Sequence, residues 1–98
     1  MALNPPSTTL ADLRPPDRHR LLTSERRRLT LDILEGTGTA VDLEELGRGI
    51  VAREDGIDAV DEEAVLRVAI ALHHVHLPLI AEMGVLEYDP TTRVVRSS

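Results

Sequence analysis

The sequence has 98 residues, with 17 acidic side chains against 11 Arg, no Lys, no Cys and a formal net charge of -6. A chain of this size makes one domain that buries about 60–65% of its unfolded surface, and without Cys it forms neither disulfides nor thiolate metal sites. With no apolar run near 18 residues and no basic-then-apolar start, it is expected to carry no membrane span and no signal peptide, and to be soluble and cytoplasmic.

Charge is unevenly distributed. Residues 1–31 carry six Arg against three acids, residues 32–63 two Arg against eleven acids, and residues 64–98 three of each. Gln, Phe and Trp are absent as well as Lys. An acidic, Lys-free chain rich in Ala and Val has the composition of a halophilic protein from a GC-rich genome, in which surface carboxylates hold water in molar salt. GC bias alone is the plainer source of the same composition.

In chain order, residues 1–16 contain four prolines and no period, which predicts a disordered N-terminal arm ahead of a folded domain over 17–98. Thr23 or Ser24 caps a first helix whose stripe is Leu29, Ile33 and Leu34 and which Gly36 ends. Val41 is strand-like. Asp42 and Glu45 have the spacing of a capping box for a second helix over about 43–54, with Leu43, Leu46, Ile50 and Val51 at helical period. Gly47 and Gly49 weaken that helix by about 1 kcal/mol each relative to Ala, which predicts close approach of a neighbouring helix. Asp58 or Asp61 caps a third helix from Glu62 to Met83.

The third helix contains the segment LHHVHLPLIAEMG. At 100° per residue its inward face is Val65, Leu72, His76, Leu79 and Met83, flanked by Val68, Ala69, Val75 and Ile80. Its outward face is Arg67, Ala71, His74, Pro78 and Glu82. Pro78 lies inside the helix and is expected to kink it, and Gly84 supplies the left-handed residue that stops it. The tail is a hairpin of Val85–Tyr88, a DPTT turn and Arg93–Arg96. Helix, short strand, helix, helix, strand, strand is mainly α with a small β-hairpin, an α+β winged helix-turn-helix.

LLTSERRRLTLDILE resembles the opening of ArsR-like winged helix-turn-helix regulators. LHHVHLPLIAEMGVLEYD closely resembles the hallmark segment of a haloarchaeal winged-helix family of unknown function, identified by its HHVHLP motif, over about residues 17–96. The resemblance implies the fold and a grouping with transcription regulators; fold by itself does not assign an activity.

Recognition helices dock in the DNA major groove, so the candidate DNA contacts are Arg67 and His74 on the third helix, Arg26, Arg27 and Arg28 in the basic cluster, and Arg93 and Arg96 in the wing. Glu62, Glu63 and Glu82 oppose phosphate, and surface pairing with nearby acids is the competing use of these arginines. Leu72, His76, Leu79, Met83 and Gly84 are read as the structural core of the motif, with His76 hydrogen-bonded to backbone or to Tyr88. His73 and His76 are the histidines spaced to share an ion, and with no other ligands in sight no metal and no cofactor are expected. No nucleophile with a base, phosphate loop or carboxylate pair is present, so no enzyme is expected. The leading expectation is a homodimeric DNA-binding transcription regulator that contacts duplex DNA through the third helix, the Arg-rich N-terminal region and the wing. The alternative is a winged-helix protein–protein interaction or dimerisation module without DNA binding. A metal or ligand sensor stands third. The two leading expectations differ in whether the arginines form a stripe unbroken by carboxylates.

Overall fold

The computed structural model describes residues 12–97. Of the stretch expected to be a disordered arm, residues 1–11 lie outside this range. Within it, Leu13 is buried in the core, and Pro15 and Pro16 open a helix, α1 (Pro15–Leu22). A first-turn proline costs no hydrogen bond because the first N–H groups of a helix have no internal partner. α1 therefore precedes the three expected helices, and its Leu21 is fully buried.

α2 (Glu25–Thr37) begins at Ser24, whose hydroxyl accepts from the Arg27 N–H at 3.3 Å. It runs past Gly36 to end at Gly38, which has φ +69°. Leu34 and Thr30 face the core, and the Thr30 hydroxyl donates to the Arg26 carbonyl at 2.8 Å. β1 (Val41–Asp42) is two residues long. α3 (Leu43–Asp55) starts with the Asp42 carboxylate accepting from the Glu44 N–H at 3.0 Å, without the reciprocal bond of a capping box. Leu46, Ile50 and Val51 are at most 1% exposed. After a short 3-10 turn (Ile57–Ala59), Asp61 caps the next helix by accepting from Ala64 N–H at 2.8 Å.

The central helix runs without a break from Glu62 to Glu82, 21 residues. It comprises α4 (Glu62–Ala71), a π turn (Leu72–His76) and α5 (Leu77–Glu82). By length and composition alone, with a mean hydropathy of 1.6 over its most apolar stretch, it is apolar enough to cross a membrane, a test that the core helix of a globular domain also passes. Here it serves as the spine of the core, with Val65, Leu72, Leu77 and Ile80 at most 1% exposed.

The π turn accounts for Pro78. A proline has no N–H and its ring collides with the carbonyl four residues back. Widening the preceding turn, so that Leu77 N–H reaches the Leu72 carbonyl, places Pro78 in the first turn of α5. One extra residue in the turn rotates the rest of the helix by about 100°. Leu77 and Ile80, both 0% exposed, therefore occupy the inward positions expected for His76 and Leu79, which are half-buried together with Met83. The same shift turns Val75 outward, to 52% exposure.

Gly84 (φ +80°) follows Met83, the C-cap of the helix. β2 (Leu86–Asp89) and β3 (Val94–Ser97) form the hairpin, and β1 joins its free edge to complete a three-stranded antiparallel sheet of order β1-β3-β2. Val41 pairs with Val95 and Leu86 with Ser97. Arg93 closes the turn at φ +61°, one residue before the strand starts. Its carbonyl accepts from Leu43 N–H at 2.8 Å, tying the hairpin to the start of α3. The architecture is mainly helical with a small antiparallel sheet, an α+β fold.

The two glycines of α3 do different things. A Cβ on Gly47 would lie 3.3 Å from the Val65 carbonyl oxygen of α4, a backbone atom fixed within a helix, whereas on Gly49 it would meet the Ile33 side-chain tip at 3.2 Å. Gly49→Ala should gain up to about 1 kcal/mol of helix propensity, and Gly47→Ala should lose stability despite the same gain. Thermal unfolding of the two variants checks the opposite signs.

Candidate functional site

The outward face of the central helix is where either leading expectation must act. Arg67 and His74 are exposed there, Ala71 is half-buried, and Pro78 and Glu82 are exposed beyond the π turn, where the helix has rotated away from the single wheel. Between the polar residues stand large apolar ones that the wheel did not assign to this face: Leu66 at 59% exposure, Ile70 at 50% and Val75 at 52%. Leu66 and Ile70 are four apart and form a ridge along α4. Beside it lie two adjoining cavities of about 240 and 270 Å³. Both share Leu66, Ala69, Leu43 and Arg93, so they form one groove between α4 and the α3–hairpin junction. Glu44 and Glu62 line one end of the groove, and His73 and His74 the other.

The arginines are mostly engaged within the fold. Arg26 meets Glu54 of α3 in a two-point pair, Nε to Oε2 at 3.1 Å and a terminal nitrogen to Oε1 at 3.0 Å. The hydrogen bonds to this carboxylate raise the pKa of the Arg26 guanidinium above its ordinary value. The pair lies in a depression of about 380 Å³ whose rim includes Asp55 and Arg67. Arg67 reaches Glu63 at 3.5 Å, and Arg48 bridges Glu44 and Glu62 at 3.5 and 3.1 Å. Arg26 and Arg67 are therefore each paired with a carboxylate, although both line the same depression. Arg28 is exposed, and Arg96 lies near enough to Asp89 to help lower its pKa, after the backbone hydrogen bonds that Asp89 accepts from Thr91 and Thr92.

Arg27 has a structural role. Its Nε donates to Nδ1 of His76 at 3.2 Å, and a terminal nitrogen donates to the Arg20 carbonyl at 3.0 Å. One guanidinium thus joins α1, α2 and the π turn. His73, rather than His76, meets Tyr88: Nδ1 and the hydroxyl are 2.6 Å apart, with the rings edge to face. The tyrosine hydroxyl holds its proton more tightly than usual, chiefly through burial. His73 and His76, spaced to share an ion, thus turn Nδ1 to different partners, and among the described residues no group of three or more His, Asp or Glu is placed to hold a metal.

Because Arg27 donates to Nδ1, neutral His76 carries its proton on Nε2. Burial, then the charges of Arg27 and Arg26, lower its pKa below the ordinary 6.5 against an opposing effect of Glu54. The folded protein then binds fewer protons than the unfolded chain below that value. The contribution is fully present above about pH 6.5 and is lost as pH falls toward the depressed pKa of the fold. Urea unfolding between about pH 7.5 and about pH 5.5 should show stability falling with acid. His76→Gln, which retains an acceptor but does not titrate, should remove part of that slope.

Sequence reasoning missed the Leu66–Ile70 ridge because a single-face wheel assigns one apolar stripe. The available signal was that AVLRVAIAL is apolar nearly all round, a pattern a surface helix shows when two of its faces are covered. Over residues 19–96 the chain matches the family described as a domain of unknown function, DUF7344, and it belongs to that family. No curated protein and no solved structure shows significant similarity to it.

Proposed function

We propose that this member of the DUF7344 family is a cytoplasmic winged helix-turn-helix module that binds protein through the outward face of its central helix. In this reading α2, β1, α3, the central helix and the hairpin supply the winged-helix order, with α1 added in front. The observation that carries it is the exposure of Leu66, Ile70 and Val75 where a DNA reader needs donors and acceptors. Two further features support it. Glu62 and Glu63 stand in the first turn of the same helix, where they repel phosphate, and Arg26, Arg48 and Arg67 are each paired with a carboxylate.

Salt sharpens the choice. Counterion release, the main source of phosphate affinity, fades steeply as salt rises, so a DNA reader in molar salt depends on base contacts. Of the outward face, Arg67 alone could make the two-point contact that reads guanine, and it is paired with Glu63. The exposed Arg28 with Arg93 and Arg96 of the hairpin favours duplex DNA as the second reading. Anisotropy titrations of labelled genomic duplex fragments in molar KCl separate the two. The interaction module predicts no binding at micromolar protein; saturable binding weakened by Arg28→Ala and Arg93→Ala overturns it.

A further inference from the structure

We infer that the ridge of Leu66 and Ile70 and the groove beside it form a twofold interface between two copies of this chain, their central helices running antiparallel. The inference rests on the interaction-module reading and names its partner. A twofold contact requires a surface complementary to itself, and this face carries both parts side by side. Leu66 and Ile70 project at 59% and 50% exposure, and the adjoining groove, floored by Ala69 and walled by Leu43, is open along the length that this ridge spans. With the axis between residues 66 and 70, each copy's ridge enters the other's groove.

Charge agrees with that direction. The groove has Glu44 and Glu62, bridged by Arg48, at one end, Arg93 along it and His74 at the other, so antiparallel pairing sets the Glu62 carboxylate of one copy beside the His74 imidazole of its mate. The two helix dipoles also oppose one another, which parallel pairing would not allow. The surface is small. A 21-residue helix is about 31 Å long and about 10–12 Å across, so pairing removes on the order of 400 Å² per copy. At about 800 Å² in all, that is below the about 1,200 Å² of stable interfaces and in the range of weak, transient ones, for which a dissociation constant on the order of tens of micromolar or weaker is expected.

Two copies each carrying a net charge of -6 repel one another until salt screens them. Association of this kind therefore tightens as KCl rises to molar levels, opposite to any contact with nucleic acid. The test is sedimentation velocity on the full chain across about 10–500 µM protein, the range that brackets the expected constant, in low and molar KCl. The expected result is a monomer–dimer equilibrium that strengthens with salt. Leu66→Ser with Ile70→Ser should weaken it at least about tenfold while the far-ultraviolet circular dichroism stays unchanged and the melting temperature loses its dependence on protein concentration. His74→Glu should weaken it, and Glu62→Arg in the same chain should restore it. A monomer throughout, or a dimer indifferent to both the ridge and the charge exchange, overturns the twofold interface. The module reading survives that outcome if a probe at position 70 crosslinks to a different protein.

Discussion

Leu77→Ala should lower the unfolding free energy by about 2–5 kcal/mol, a large part of the stability of a domain this small, whereas Leu79→Ala should cost roughly 1 kcal/mol. The contrast isolates the π turn. On an unbroken α-helix that places Leu72 inward, Leu79 returns to the same face after two turns, and Leu77 stands well away from it. In the structure Leu77 is 0% exposed and Leu79 half-buried, because the turn from Leu72 to His76 contains one residue more than an α turn. Chemical denaturation of the two variants reads the ranking directly. Comparable losses, or a larger one at Leu79, would mean that the helix keeps α phase through Pro78. The same phase controls the outward face, since the shift that buries Leu77 exposes Val75.

The second large effect is at Arg26. Replacing it by Ala leaves the Glu54 carboxylate, whose side chain is 16% exposed, without its two-point partner. An unsatisfied charged group of this kind costs about 1–3 kcal/mol. Arg28→Ala, at an exposed side chain two residues along the same helix, should stay within about 0.5 kcal/mol of the parent protein. A basic patch built for phosphate would be indifferent in stability at both positions and would lose DNA affinity at both. Urea unfolding of the pair therefore distinguishes a strut between α2 and α3 from a docking patch. Equal and negligible changes would return Arg26 to the surface.

Much of the fold was legible in the chain. Ser24 and Asp61 are caps by residue type and position, and both accept the expected first-turn N–H. Gly47 lies against the neighbouring helix as its cost within α3 implied, and Gly84 takes the left-handed conformation that ends the central helix. What local pattern could not carry depended on contacts between distant segments. Val41 pairs with a strand more than 50 residues later, and α1 is held by the burial of Leu21 although its prolines suggested an open arm. The π turn has a visible cause in Pro78, but the choice between a kink and a widened turn depends on which leucines the core accepts. That choice redistributed the histidines, giving His73 to Tyr88 and His76 to Arg27.

The candidate site was less legible. The arginines were visible, but their engagement with Glu54, Glu63 and the His76 imidazole requires the tertiary fold. Leu66 and Ile70 were equally visible as apolar residues. Their exposure depends on which side of α4 the core takes, and that side is fixed by Val65, Val68 and Leu72. A helix with apolar residues left over after its inward face is counted has a second face to cover. On the proposed winged-helix reading, that second face is the one that would otherwise meet DNA.

The most direct measurement is a photo-crosslink from the face itself. The full chain, with Ile70 replaced by p-benzoylphenylalanine, is irradiated in cells growing in high salt and the adducts are isolated. Protein adducts that resist nuclease and disappear when the same probe is moved to exposed Glu35 on α2 are the predicted result. Nuclease-sensitive adducts at position 70 would contradict the account and assign this helix to DNA.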